Sequence, residues 1–154
     1  MVNPEHMMRE ALTEAEAALN DGEMPVGCVI MAPDGHIIAR AHNEREALRD
    51  PTAHAEILAI RRAAEAMGDW RLTGCTLFVT LEPCPMCAGA IVMARIAHVY
   101  YGARDELGGC AGSVYRVTED PAFNHYAPSD GGILQSECTA LINRFFDTGR
   151  RNDL

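Results

Sequence analysis

Apolar residues along this chain fall into alternating helical and strand periods. Asn3-Pro4 is followed by Met8, Leu12, Ala15 and Leu19, at i, i+4, i+7 and i+11, one stripe of an amphipathic helix. Asn3 suits the N-cap and Pro4 the first helical position. Asp21-Gly22 supplies the stop. Pro25 to Met31, carrying Val26, Val29 and Ile30, reads as a buried strand. Pro33-Asp34-Gly35 is a turn, because Pro presets φ and Gly accepts a positive one. His36 to Asn43 then forms the second strand of a hairpin, ended by an amide that an apolar strand does not require.

Asp50-Pro51-Thr52 opens a helix predicted to run to about Met67 and stop at Gly68, with Ile57, Ile60, Ala64 and Met67 as its buried face. Thr76 to Leu81 is short, β-branched and apolar, the pattern of a central strand. Pro83-Cys84-Pro85 begins another helix, through about Arg95, and His98 to Gly102 another strand. From Ala103 to Gly132 the chain is rich in Gly and Pro, and a loop of that length is expected to be a binding surface. Leu134, Cys138, Leu141 and Phe145 mark a last helix, closed near Gly149. No repeat, low-complexity segment or linker interrupts residues 1–154, so one domain is expected. The alternation of strands and helices predicts an α/β fold, a three-layer α/β/α sandwich with right-handed crossovers.

Composition narrows the class. An apolar fraction of 48% with 23% charged residues is that of an ordinary globule, and no apolar run approaches the roughly 20 residues of a membrane span. The first nine residues lack the apolar core of an export signal. Six cysteines in such a context point to reduced thiols or metal ligands over a disulfide framework. A cytoplasmic protein is expected. The net charge is −9, with thirteen arginines and no lysine. The overall field therefore does not steer the chain to nucleic acid, although a local arginine patch can still hold a phosphate backbone.

The chemistry sits in two stretches. Pro51-Thr52-Ala53-His54-Ala55-Glu56 offers an imidazole and a carboxylate, and Glu82-Pro83-Cys84-Pro85-Met86-Cys87 two thiols. The cysteines alone are equally compatible with a redox pair or half of a structural zinc site, for which Cys75 or Cys110 would be the fourth ligand. A redox pair accounts for neither His54 nor Glu56. Taken together, His54, Cys84 and Cys87 are the three protein ligands of a catalytic zinc site, whose fourth position is left to water. Such a zinc lowers the pKa of water from ~15.7 to around 7, and Glu56, not a ligand, is the acid/base. His54 and Glu56 are two residues apart, about 200° around a helix axis, so the site must lie off the helix's N-terminal end. Cys84 and Cys87, at i and i+3, meet on one face, and a helix N-terminus favours their thiolates. Cys28, Cys75, Cys110 and Cys138 read as small core residues.

The pattern H-x-E followed by P-C-x-x-C resembles the signature of zinc-dependent nucleobase deaminases. The resemblance runs further. Pro25-Val26-Gly27, Asn43, the run from Asp50 to Glu56, the run from Thr80 to Ala90, Tyr101-Gly102-Ala103-Arg104-Asp105, Ala111-Gly112-Ser113 and Phe145-Phe146 occur in that order. Together they closely resemble the bacterial tRNA-specific adenosine deaminases of the cytidine deaminase superfamily. That resemblance implies a mixed five-stranded sheet and one zinc per chain. It implies hydrolytic deamination of adenosine to inosine at the wobble position of tRNA, on a nucleotide flipped out of an anticodon stem-loop, by a homodimer. By position, Asn43 would hydrogen-bond the target nucleotide, Val26 would pack on its base and Asp105 would meet the nearby backbone or ribose, with Pro83 beside them.

Two departures stand out. Family members usually carry lysine where this chain has Leu107, and Asp147-Thr148-Gly149 separates the paired phenylalanines from Arg150-Arg151. A deaminase of a free base or nucleoside, of guanine or cytosine type, is the alternative, and a non-catalytic zinc-binding subunit, against which Glu56 speaks, is a third reading. An RNA substrate requires that some of Arg40, Arg45, Arg49, Arg71, Arg104, Arg116, Arg144, Arg150 and Arg151 gather at the pocket mouth.

Overall fold

The computed structural model describes residues 2–148; the expected stop at Gly149 and the pair Arg150-Arg151 lie outside the described residues. The chain runs α1 (Pro4–Asn20), β1 (Gly27–Met31), β2 (Ile37–His42), α2 (Arg45–Leu48), α3 (Ala55–Met67), β3 (Thr76–Leu81), α4 (Pro85–Met93), β4 (His98–Ala103), β5 (Ser129–Asp130) and α5 (Gln135–Asp147). The sheet order is β2-β1-β3-β4-β5. β1 pairs antiparallel with β2 and β3, whereas β3–β4 and β4–β5 are parallel. This is the expected mixed five-stranded sheet.

Period-two alternation in the central strands builds a core on each side. Cys28 and Ile30 of β1, with Leu77 and Val79 of β3, join the core under α3 and α4. Val29, Met31 and Phe78 join the core under α1 and α5. Residues alternating in the strand point to opposite faces, so fully buried strands require helices on both, and a three-layer sandwich results.

Asn3 caps α1 by accepting the His6 N–H at 3.1 Å, and Pro4 opens the helix. The buried stripe, however, is Met8, Ala11, Ala15 and Ala18, not Met8, Leu12, Ala15 and Leu19. The cause is close approach. A Cβ on Gly27 would come within 1.9 Å of the Ala11 carbonyl oxygen and 2.5 Å of the Ala15 nitrogen. The α1 backbone rests on β1, and only small side chains fit between them.

α3 departs from expectation in the same way. Its buried residues are Ala55, Glu56, Leu58, Ala59 and Ala63. Of the expected face, Ile60 and Ala64 are partly buried at the edge of the core, Ile57 is half-buried and Met67 is exposed. The helix also begins later than predicted: Asp50 Oδ1 accepts the Thr52 N–H at 2.8 Å in a turn, and His54 is the N-cap. Helix α2 was not foreseen. Its first turn is held by Glu23, which accepts the N–H groups of Glu46 (3.0 Å) and Ala47 (2.8 Å). Among the described residues no helix is long and apolar enough to cross a membrane. All six cysteines are free, and Cys28, Cys75, Cys110 and Cys138 are buried as expected.

Candidate functional site

Two helices start at one point. His54 is the N-cap of α3 and Cys84 the N-cap of α4, both with extended backbone and neither using its side chain to cap its own helix. Their side chains are therefore free to turn toward each other. Cys87, in the first turn of α4, completes the group. His54 Nδ1 lies 3.6 Å from Cys84 Sγ and 3.5 Å from Cys87 Sγ, and the three donor atoms lie within 4.8 Å of one another. Bond lengths of about 2.05 Å to nitrogen and 2.3 Å to sulfur at a tetrahedral angle place N and S about 3.6 Å apart. The spacing and donor set thus fit zinc. Among the described residues, the cluster comprises these three.

Glu56 follows His54 by two residues and is only 4% exposed. Burial pushes its carboxyl up to about 7, the kind of displacement that accompanies acid/base residues in clefts. The thiols form a coupled pair. A hydrogen bond from Cys87 pulls the Cys84 thiol down to about 4, and the same bond pushes the Cys87 thiol up. The hydrogen bond with Cys84 likewise raises the pKa of His54.

These groups form the floor of an open cavity. Of the residues nominated from the sequence, Val26, Asn43, His54, Glu56, Cys84 and Asp105 line it. Cys87 reaches the cluster from beneath, fully buried. Pro83 is not among the lining residues; its carbonyl accepts the Cys110 N–H at 2.8 Å. Asn43 is both a turn residue and a wall residue. Its Nδ2 donates to the Met24 carbonyl (3.3 Å) and its Oδ1 accepts the Arg45 N–H (3.1 Å).

Sequence reasoning missed Met24, Leu81 and Glu82, which also line the cavity. A buried acid following a strand and preceding C-x-x-C was the available signal for Glu82. Of the nominated arginines, Arg45 reaches the wall. Arg40, Arg71 and Arg116 pair with Glu10, Asp69 and Glu119. Arg104 donates to the Tyr101 hydroxyl at 3.0 Å, and Arg144 lies in a groove between α1 and α5.

Comparison with known proteins agrees with this geometry. Residues 1–103 match the family model described as the cytidine and deoxycytidylate deaminase zinc-binding region. The tRNA-specific adenosine deaminase of Bacillus subtilis is 48% identical over 95% of this chain and 90% of its own length. That of Agrobacterium fabrum is 44% identical over 99% of this chain and 100% of its own. Among solved structures, one from a study of A-to-I editing by tRNA:A34 deaminases superposes with a TM-score of 0.84 at 46% identity, covering 88% of this chain and 98% of the other. A guanine deaminase from Bacillus subtilis superposes with a TM-score of 0.63 at 44% identity, covering 67% and 66%. With a histidine, two cysteines and a buried glutamate converging where two helices begin, this chain belongs to the zinc-binding cytidine and deoxycytidylate deaminase family and, within it, to the bacterial tRNA-specific adenosine deaminases.

Proposed function

We propose that this protein is a zinc-dependent hydrolase that deaminates adenosine to inosine at the wobble position of a tRNA anticodon loop. The observation that carries the reading is the convergence of His54, Cys84 and Cys87 beside buried Glu56 in one open cavity. It is supported by tRNA-acting relatives 48% and 44% identical over nearly the whole chain.

His54, Cys84 and Cys87 hold the zinc, one per chain, which supplies Lewis acidity for activating water near neutral pH. Glu56 takes one proton from the attacking water and delivers it to the purine ring nitrogen beside the reacting carbon, then takes the second from the hydroxyl so formed and gives it to the departing amine. Water adds at the carbon bearing the exocyclic amine and ammonia leaves, so adenosine and water become inosine and ammonia. Val26 packs on the base and Asn43 holds the nucleotide. Asp105 meets its ribose or backbone, and Pro83 supports the same wall by fixing Cys110. The cavity admits one extruded nucleotide, and a loop base can be splayed out in this way.

The enzyme works in the cytoplasm as a single-domain protomer of a homodimer. The apolar groove of Ile57, Ile60, Ala64, Trp70 and Met93 on the outer side of α3 and α4 suits a second copy, because it leaves large apolar side chains in water that a self-complementary contact would cover. Met93→Glu should shift sedimentation from dimer to monomer; a wild type that sediments as a monomer at micromolar concentration refutes the dimer.

The deciding experiment incubates the purified protein with an anticodon stem-loop carrying adenosine at the wobble position and, separately, with free adenine, guanine and cytidine, and measures ammonia and inosine. Turnover is expected in the stem-loop. Efficient deamination of guanine or cytidine with no inosine in the stem-loop would replace the RNA reading with the free-base one and leave the zinc chemistry intact.

A further inference from the structure

Glu82 is a second buried carboxylate in the same cavity wall, and the mechanism above does not use it. It is 2% exposed, at the end of β3 and two residues before Cys84. Its surroundings differ from those of Glu56. Oε1 accepts the Asp105 N–H at 3.1 Å and the Ser113 hydroxyl, and Oε2 accepts the Ala111 N–H at 3.1 Å and the Ser113 N–H at 2.9 Å. A carboxylate has about four acceptor positions, and these donors occupy all of them. Such a group is satisfied as an anion without a metal or a cation and has no free lone pair for proton transfer.

All its donors come from one loop, and that loop carries Asp105 into the cavity wall. The loop is braced again nearby, where the Pro83 carbonyl accepts the Cys110 N–H at 2.8 Å and the Asp105 carbonyl accepts the Gly109 N–H at 2.8 Å. Packing against the carboxylate is tight: a Cβ on Gly109 would fall 2.4 Å from the Glu82 carboxyl carbon. The backbone that places the metal-ligating Cys84 therefore also carries, two residues away, the side chain that sets the position of the 105–113 segment.

We propose that Glu82 is a positioning residue for substrate, holding the 105–113 wall and with it Asp105 at a set distance from the His54–Cys84–Cys87 cluster, so that the nucleotide entering the cavity is recognised by a wall whose place is fixed from the floor. The proposal rests on the reading of this cavity as a nucleotide site. Glu82 touches neither the metal nor the base in this role; it acts through the loop.

The test is Glu82→Gln, which keeps the size but turns an amide NH₂ toward N–H donors that lose their acceptor. Expected are a KM for the stem-loop raised about 10-fold, a kcat within about threefold of wild type, and unchanged zinc content. Hydrogen exchange of the 105–113 amides should accelerate about 10-fold or more, while β3 and β4 keep their protection. Ser113→Ala, which removes one of the donors, should raise KM about twofold. Gly109→Ala, which displaces the loop without changing Glu82, should reproduce the KM effect; if Glu82→Gln does not fold, these two variants carry the test. Faster loop exchange with KM unchanged would overturn the proposal, because the wall would then move without affecting recognition. Loss of zinc, or a fall in kcat at constant KM, would overturn it in favour of a role at the metal. A wild type without turnover of any stem-loop is failure of the functional reading, visible before a variant is made, and the KM ratio is then measured on whichever free base is deaminated.

Discussion

The floor and the walls of the cavity are built in opposite ways. The floor is made by helix starts: His54 and Glu56 at α3, Cys84 and Cys87 at α4. Each pair is local in sequence, and only one long-range event, the pairing of β1 between β2 and β3, brings the two together. The walls are made by the short helix α2 and the loop 105–113, neither of which has a core of its own. Each is instead tied down by a buried carboxylate reaching across the fold, Glu23 to α2 and Glu82 to the loop. Both carboxylates are 2% exposed. Glu56, 4% exposed, instead accepts from its own N–H and from the Cys87 thiol of the metal-ligand cluster, and burial moves its pKa to about 7. Buried acids in one small protein thus take two roles, decided by which groups face them. A carboxylate that accepts from the N–H groups of a distant segment ties that segment down, and the one that faces the metal-ligand cluster is placed to move protons.

That contrast predicts a separation of effects, strongest on the floor. Cys84→Ser or Cys87→Ser should abolish zinc binding and turnover together, because a hard hydroxyl replaces a soft ligand in a three-ligand site. Full activity after exhaustive chelation, confirmed by metal analysis, would break the floor assignment altogether. Glu56→Gln should keep zinc and stem-loop affinity while kcat falls about 10²–10⁴-fold, the usual contribution of acid/base catalysis. A Glu56→Gln protein purified without zinc would make Glu56 a ligand and erase the distinction between the two kinds of carboxylate.

The walls should respond in affinity. RNA binding is expected to weaken with salt by a log–log slope of about −0.7 per phosphate contact, so a few contacts cost roughly tenfold over a fourfold rise in salt. A flat response would mean that the surface arginines serve only their acidic neighbours. The smallest effect is the most specific. Leu107 is 96% exposed on the loop that carries Asp105. Leu107→Lys should add one contact, steepening the slope by about 0.7 and tightening stem-loop binding a few-fold at low salt, with kcat unchanged. A change in kcat without a change in slope would place Leu107 outside the RNA contact.

Much of the floor was legible in the sequence because its information is short-range. Asn3-Pro4 announces a helix start, Gly68 in the left-handed region ends α3, and His54-x-Glu56 with Cys84-x-x-Cys87 fixes donor types and spacings that local geometry cannot rearrange. The inference that His54 and Glu56 must meet their partners off the helix end follows from helical rotation alone, and both line the cavity there. The expected stripe of α1 held Met8 and Ala15, which are fully buried, but Leu12 and Leu19 lie at the edge of the buried face, and in α3 Ile60 and Ala64 only flank the core that Leu58, Ala59 and Ala63 enter. Hydrophobicity says that Leu12 and Leu19 prefer burial, yet where Gly27 lets the α1 backbone approach the sheet it is Ala11 and Ala15 that face it.

From the sequence by itself came the metal-binding set, the alternation of strands and helices, and the three-layer arrangement they require, because each depends on residue chemistry at fixed, short spacings. The tertiary structure alone decided which stripe of each helix faces inward, that among the described residues Arg45 and not the other nominated arginines reaches the cavity, and that Glu23 and Glu82 are clamps. A carboxylate's role depends on the donors around it, and those donors come from residues more than twenty positions away, a distance over which sequence pattern carries no geometry.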